Sequence, residues 1–275
     1  MTAPRRHESD FLSTEEGVLA DAFLRQGHVI VPVADLAALR RLREAMAGFA
    51  AEHLGVSTPG DAGAFMDAIH GLVAPERLNA LRLKVIDGVN RLSWARRCYF
   101  ELARPALEII VGNELAMQRR LNLSIQLPGD HSSLLPVHAD VWDGDSPFEV
   151  VAWLPLVDCR RSKSMYLLPP PQGAAWEARM AEFDGHSTED LFRAIEPEVV
   201  WLDVPFGHML LSSQNLMHGN RVNRENETRW SMNCRFKSLF SPYAEKRLGE
   251  FFEPISMRPA TRIGLGYRLP GGFVE

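Results

Sequence analysis

The sequence contains few cysteines and no long apolar run. Its 275 residues include three cysteines, Cys98, Cys159 and Cys234, which are widely spaced and form no CxxC pair. An odd, scattered set is typical of a reduced, cytoplasmic protein whose thiols pack as small core residues. The sequence contains no run of about 18 apolar residues, so no membrane-spanning helix is predicted. The charged residues 1–10 are followed by no apolar stretch and so predict no signal peptide.

The chain also lacks an excess of basic residues. It has 30 basic and 35 acidic residues, a net charge of −5, and no arginine run. Binding to a phosphate backbone needs a basic surface, so the composition predicts no nucleic-acid partner. With 46% hydrophobic and 24% charged residues, residues 1–275 are predicted to form a single domain with a sizeable core. Nothing in the composition indicates the oligomeric state.

Hydrophobic periodicity divides the chain into four parts. Ser13 with Glu16, and then Asp35, are predicted helix caps, and Gly55 is predicted to end the second helix. Short strands between Gly and Pro turns in the second half favour a β-sandwich or barrel. The predicted parts are a flexible tail at residues 1–10, a mostly helical part at 11–120, a β core at 121–240 and an extended C-terminal segment at 241–275.

Three local patterns make specific predictions. Residues 28–33 are predicted to form an edge strand, because Pro32 cannot donate a ladder hydrogen bond. Helical spacing runs through residues 92–111, where Pro105 is predicted to be a break or a first-turn residue. Residues 176–195 are predicted to be helical and to connect two strands.

A histidine and an aspartate lie close together in the β core. His138 and Asp140 are two residues apart in a segment predicted to be a strand, so both side chains are expected on one face. An imidazole and a carboxylate that point into a protected interior supply two ligands of a metal site. His218 is our candidate for the third, and two histidines with one carboxylate form the facial triad of non-haem Fe(II) oxygenases.

Downstream of His218 lies a predicted strand with alternating chemistry. A polar set, Arg229, Ser231, Asn233, Arg235 and Lys237, alternates with the apolar set Trp230, Met232, Cys234 and Phe236. A surface strand with a solvated polar face and a strand whose polar face lines a cavity both have this pattern. The alternation therefore leaves both arrangements open.

The order of these motifs resembles that of the Fe(II)/2-oxoglutarate-dependent dioxygenases, in particular the phytanoyl-CoA dioxygenase-like branch. The resemblance rests on His138-Ala139-Asp140, then His218, then Arg229 eleven residues later. Further similar stretches are distributed over most of residues 20–240, at residues 27–32, 127–130, 153–158 and 164–169. Residues 220–223 and 229–231 further resemble members found with carbohydrate biosynthesis gene clusters.

This resemblance implies a mainly β protein with α-helices, built on a double-stranded β-helix (jelly-roll) core with N-terminal and covering helices. It implies that His138, Asp140 and His218 hold Fe(II) and that 2-oxoglutarate and O2 are cosubstrates. The implied reaction hydroxylates a small molecule and releases succinate and CO2, with no catalytic residue beyond the metal centre. Halogenating members have a small residue in place of the carboxylate, so Asp140 indicates hydroxylation.

The resemblance also implies a site for 2-oxoglutarate. Arg229 is expected to hold the distal carboxylate through a bidentate pair, and Arg235 is the alternative. Further expected contacts come from the same strand face and from the facing strand: Ser231, Asn233, Ser124 and Gln126.

Substrate contacts are expected around the HxD segment, at Trp142, Asp143, Asp145 and His131. An aromatic ring beside acids suits a sugar or a sugar-derived metabolite, whose hydroxyl groups donate to carboxylates. A turn with a packing tryptophan fits the same residues. Two other functions stay open, a cupin-like metal-dependent isomerase or hydrolase and a non-catalytic carbohydrate-binding jelly roll.

Overall fold

The computed structural model describes residues 11–272, and the tail predicted for residues 1–10 lies outside them. Within the described range the chain forms eight α-helices, five of which lie before residue 111. They are α1 (Thr14–Gln26), α2 (Leu36–Leu54), α3 (Ala62–Ala68), α4 (Leu78–Arg91), α5 (Ala95–Ile110), α6 (Pro170–Glu177), α7 (Thr188–Ile195) and α8 (Pro259–Gly266).

The predicted helix ends are confirmed. The Ser13 hydroxyl accepts from the backbone N–H of Glu16, whose carboxylate accepts from the Ser13 N–H in return, so α1 begins with a capping box. The Asp35 carboxylate accepts from the N–H of Ala38 at the start of α2. Gly55 ends α2 with a φ of 68°, a left-handed conformation that favours glycine.

Ten strands form two antiparallel sheets within residues 11–272. They are β1 (His28–Pro32), β2 (Leu115–Gln118), β3 (Asn122–Gln126), β4 (Glu149–Pro155), β5 (Tyr166–Leu167), β6 (Val200–Trp201), β7 (His208–Ser213), β8 (His218–Gly219), β9 (Arg229–Ser238) and β10 (Phe252–Ser256). The larger sheet has the order β1-β7-β4-β9-β2-β10, and β3 also pairs with β9. The smaller sheet has the order β6-β5-β8. β1 is an edge strand, as its proline predicted.

The main core lies between the larger sheet and helices α2, α4 and α5. Leu42 and Met46 of α2, Val85 of α4, and Trp230 and Phe236 of β9 are all fully buried in it. Burying each such side chain stabilises the fold by roughly 1.5–3 kcal/mol. One face of β9 is therefore fixed in the core, and its other face is turned towards the smaller sheet and the site described below.

Two predictions, one about the fold class and one about Pro105, are wrong. The protein is not mainly β, because more of the described residues lie in helices than in strands. Helix α5 continues through Pro105, since buried neighbours such as Leu102 and Ala106 hold the helix although one backbone hydrogen bond is lost.

Three boundaries also differ from the prediction. Leu115–Gln118 was included in the helical part but forms strand β2, in which all four residues are buried, so no alternation marked it. Residues 176–195 contain the end of α6, a 3-10 turn and α7 instead of continuous helix. The C-terminal segment is not merely extended, because it supplies β10, which pairs with β2, and helix α8.

No helix within residues 11–272 has the length and apolar character needed to cross a membrane.

Candidate metal centre

His138 and His218 are brought together by a single β-bridge. The backbone N–H of each donates to the carbonyl of the other, at 3.0 Å from His138 and 2.8 Å from His218. The two imidazole rings lie side by side, with their centroids 4.3 Å apart. His218 belongs to β8, whereas His138 is an isolated bridge residue.

Asp140 reaches the same point through a turn and not through a strand. Ala139 is extended, but Asp140 begins a 3-10 turn that ends at Asp143, so the predicted strand stops before the aspartate. The Asp140 Oδ1 lies 3.8 Å from His138 Nε2. One ligand atom from each of His138, Asp140 and His218 lies within 4.8 Å of the others.

Hydrogen bonds to backbone carbonyls orient both imidazoles so that Nε2 is directed to the shared point. The Nδ1–H of His138 donates to the Pro136 carbonyl at 2.8 Å, and that of His218 donates to the Leu216 carbonyl at 2.9 Å. Because a carbonyl only accepts, Nδ1 carries a proton, and in the neutral ring Nε2 then carries the free lone pair. Burial, together with the nearby His138, lowers the pKa of His218, which favours the neutral ring. Two neutral imidazoles and one carboxylate fit Fe(II).

A network of charged side chains surrounds Asp140 on its other side. Arg235 donates from Nη2 to Asp140 Oδ1 at 3.0 Å, and its Nε lies 3.1 Å from Asp145 Oδ1. Lys246 also contacts Asp145. The Gln214 amide is oriented so that its nitrogen and its oxygen both have partners. In this orientation Gln214 donates to Asp140 Oδ2 at 2.5 Å and accepts from Arg235 Nε at 3.2 Å.

Arg229 is a buried cation with no counter-charge among the described residues. It is 4% exposed and donates to the Ser124 hydroxyl at 3.1 Å and to the Ser164 carbonyl at 3.3 Å. Its Nε and the hydroxyls of Ser164 and Ser231 are buried without a hydrogen-bond partner. Burial lowers the pKa of Arg229 to about 10. These unsatisfied groups fit an anion with several acceptor atoms, such as a carboxylate.

The pairing of β3 with β9 explains how these groups meet. Ser124 lies opposite Ser231, and Asn122 lies opposite Asn233, with a side-chain hydrogen bond of 2.8 Å between the two asparagines. Trp230, on the alternate face, is fully buried in the main core. The polar face of β9 therefore lines a cavity, which is the arrangement that alternation alone had left open.

The triad, Arg229 and Arg235 share one cavity of about 490 Å³, here called the metal cavity. Four of the predicted 2-oxoglutarate contacts besides Arg229 line it, namely Ser124, Ser231, Asn233 and Arg235. Gln126 is different, because its side chain is fully buried and donates to the Arg221 carbonyl at 2.8 Å. Gln126 therefore does not line the metal cavity, although it lies opposite Arg229 in the β3–β9 pairing.

The residues predicted to contact substrate lie in different places. Asp143 lines the metal cavity, and Trp142, 44% exposed, lies beside it. Asp145 is buried, and its carboxylate is already paired with Arg235 and Lys246, so the structure disfavours it as a substrate contact. His131 is exposed and is not brought to the cavity.

Several cavity residues had no assigned role in the sequence. Arg82 of α4 reaches the cavity and donates to the Ser133 hydroxyl at 2.9 Å. Asn220 fixes the loop before His138 by accepting from the Leu135 N–H at 2.6 Å. Arg82 and Lys246 carried no local signal, because their contacts are distant in sequence.

Comparison with known proteins identifies the fold. The sequence matches no protein-family model and no curated protein. The non-heme monooxygenase ThoJ in complex with Ni has a TM-score of 0.54 at 18% identity, with 88% of this chain and 85% of that chain covered. EctD from S. alaskensis has a TM-score of 0.54 at 14% identity, with 87% and 81% covered.

A third similar structure is a non-heme alpha ketoglutarate dependent carbocyclase, SnoK from nogalamycin biosynthesis. Its TM-score is 0.53 at 15% identity, and 90% of this chain and 97% of that chain are covered. At these identities the similarity establishes the fold alone. The chain therefore has the fold of these three solved structures.

Proposed function

We propose that this protein is an Fe(II)- and 2-oxoglutarate-dependent oxygenase that hydroxylates a small organic molecule and releases succinate and CO2. The observation that carries the proposal is the buried, uncompensated Arg229 in the same cavity as His138, Asp140 and His218. A buried cation with no counter-charge is costly, and a bound dicarboxylate would supply that charge. A metal-dependent isomerase, hydrolase or carbohydrate-binding module needs no such cation.

The metal ligands and the groups around Arg229 have separate roles in this proposal. His138, Asp140 and His218 hold the metal through two Nε2 atoms and a carboxylate oxygen, which leaves coordination positions open. Arg229 binds the distal carboxylate of 2-oxoglutarate, with the Ser231 hydroxyl as a further donor. Bound Fe(II), with 2-oxoglutarate and O2, supplies the oxidising chemistry, and the surrounding protein orients the substrate and limits access of water.

The architecture supports this assignment of the cavity. We propose that the two sheets form a double-stranded β-helix, with the metal centre between β8 of the smaller sheet and the polar face of β9 in the larger one. The His138–His218 bridge joins the loop before the metal centre to the smaller sheet. The carboxylate at position 140, where a halogenase would need space for halide, supports hydroxylation.

The substrate class proposed from the sequence is a sugar or a sugar-derived metabolite. Trp142 supports it, because a half-exposed ring beside the metal centre offers a face on which a sugar ring can stack. Asp143 supports it as well, since its carboxylate lines the metal cavity and has no partner within the described residues.

An assay for succinate tests the proposed reaction. Purified protein is incubated with Fe(II), 2-oxoglutarate, ascorbate and a panel of sugars, amino sugars, sugar acids and amino acids in air. We expect succinate formation that needs both Fe(II) and O2 and that one class of the panel stimulates. Turnover of a panel compound without consumption of 2-oxoglutarate would favour the isomerase or hydrolase instead.

A further inference from the structure

A second open cavity adjoins the metal centre on the far side of His138. It has a volume of about 710 Å³, within the range of small-molecule sites, and is here called the side chamber. His138 and Asp143 line both the side chamber and the metal cavity. The opposite wall is formed by residues 180–191, which include the 3-10 turn Met180–Phe183 and the start of α7.

The wall of the side chamber is largely apolar and aromatic. Trp142 contributes a ring that is 44% exposed, and Phe183, Met180 and Leu191 lie on the other side. Leu191 and Phe183 belong to a small hydrophobic cluster with Val137 and Tyr166, so the wall is anchored in the fold. A ligand with an apolar or ring-shaped body could therefore pack between Trp142 and Phe183.

The charged groups of the side chamber are carboxylates. Asp143 and Asp184 line it, and it contains neither lysine nor arginine. Neither carboxylate has a hydrogen-bond or ion-pair partner within the described part of the chain, whereas the nearby Asp190 accepts from the Ser187 hydroxyl. His186, the remaining ionisable group besides His138, stacks edge-on with Phe183 at 6.0 Å.

The two cavities share Asp143 but differ in their other charged groups. The metal cavity has an uncompensated arginine, Arg229, with Arg82 near it, and suits a dianion. The side chamber has two unpaired carboxylates and aromatic faces, a combination that binds organic cations through ion pairs and cation–π contacts. A neutral or anionic substrate would supply no counter-charge for either carboxylate.

We propose that the side chamber binds the primary substrate and that this substrate is a small organic ammonium ion with an apolar or ring-shaped body. The inference rests on the proposed function, which supplies the metal. It narrows the proposed sugar class to sugars that carry an amine, because such a sugar is also an organic ammonium ion. The Trp142 and Phe183 rings hold the body, Asp143 and Asp184 bind the ammonium group, and the position beside His138 brings the substrate to the metal.

A pair of probes that differ in charge tests the proposal. Para-fluorobenzylammonium and para-fluorobenzyl alcohol are titrated into the Mn(II)-loaded full chain, with 2-oxoglutarate present to fill the metal cavity, and binding is followed by 19F NMR. The expected preference for the ammonium compound is about tenfold, from one ion pair and one cation–π contact. Paramagnetic broadening by Mn(II) then reports its distance from the metal.

The Asp143→Asn, Asp184→Asn double variant should lose this preference and keep the affinity for the alcohol. Asp203→Asn is the matched control, because Asp203 is exposed and lies outside the side chamber. Mn(II) affinity is measured for every variant, so loss of the metal is separated from loss of the ammonium site.

Equal affinities for the two probes, or a preference that survives in the double variant, would overturn the inference while leaving the proposed function intact. A preference that depends on both aspartates but shows no broadening, in protein that fails to bind Mn(II), would overturn the metal centre and the proposed function. In that case the ammonium site itself would stand.

Discussion

The guanidinium of Arg235 lies 3.0 Å from the Oδ1 of Asp140, the carboxylate of the candidate metal centre. Its Nε lies beside Asp145, which Lys246 also contacts. Arg235 thus joins Asp140 to a second, buried acid and fixes the rotation of the Asp140 carboxylate. An arginine committed to two aspartates is poorly placed to bind 2-oxoglutarate, which leaves Arg229 for that role.

Arg235→Lys is expected to weaken metal binding about tenfold, since removal of a group that orients a metal ligand has effects of this size. Lysine keeps the charge but cannot bridge Asp140 and Asp145 with two nitrogens. Calorimetric titration with Mn(II) measures the change, and Arg77→Lys, at an exposed position, is the control. Unchanged Mn(II) affinity would show that Arg235 does not position Asp140.

Arg229→Met is expected to raise the dissociation constant of 2-oxoglutarate at least about tenfold, through loss of a charge-assisted pair. The free energy of unfolding without 2-oxoglutarate should not fall, because the variant removes a buried cation that has no counter-charge. Calorimetry for binding and urea denaturation for stability measure both effects. Large destabilisation with intact 2-oxoglutarate affinity would assign Arg229 a purely structural role.

The buried carboxyl of Glu149 should make stability depend on pH. Burial, aided by the neighbouring Asp145, raises the pKa of Glu149 from 4.5 to about 7, against the opposing effect of the Ser146 N–H. Between these values the folded state binds more protons than the unfolded state, so the free energy of unfolding falls as pH rises, by roughly 1–3 kcal/mol.

Urea denaturation of the wild type and Glu149→Gln between about pH 5 and pH 8 measures this term as the difference between the two proteins. The difference should change steadily up to about pH 7 and then become constant. Glu76→Gln, at an exposed position, is the control. A difference that is independent of pH would contradict the raised pKa.

The ion pairs of Lys163 are expected to contribute strongly to the stability of the fold. Its side chain is fully buried, and its ammonium lies 2.5 Å from Asp67 and 2.8 Å from Glu227. Lys163→Met leaves two carboxylates without a cation and is expected to lower the free energy of unfolding by about 2–4 kcal/mol. Lys84→Met removes an exposed pair with Glu52 and should cost less than about 1 kcal/mol. Equal effects in urea denaturation would contradict this difference.

Local patterns in the sequence predicted the parts of the fold that depend on local interactions. The caps at Ser13 and Asp35 were found because a cap and its helix lie within four residues. The spacing of His138 and Asp140, with His218 downstream, led to the three residues that the structure brings together. The polar face of β9 was recognised, but its orientation was not, because alternation carries no information about which face is covered.

Other features depend on contacts between distant residues and left no local signal. The pairing of Asp145 with Lys246 joins positions 101 residues apart. Asp145 was predicted to contact substrate, but it belongs to this ion-pair network. Asp140 lies on a 3-10 turn where a strand was predicted, although its side chain still reaches His138. Strand β2 is buried throughout and therefore shows no alternation.

The central claim is that His138, Asp140 and His218 hold Fe(II) while Arg229 holds 2-oxoglutarate in the same cavity. It is tested most directly by the visible absorption of Fe(II)-loaded protein during anaerobic titration with 2-oxoglutarate. We expect a charge-transfer band that saturates in the wild type, needs higher 2-oxoglutarate concentrations in Arg229→Met, and is absent in Asp140→Ala and His218→Ala. A folded, Fe(II)-loaded wild-type protein that shows no band would contradict the claim.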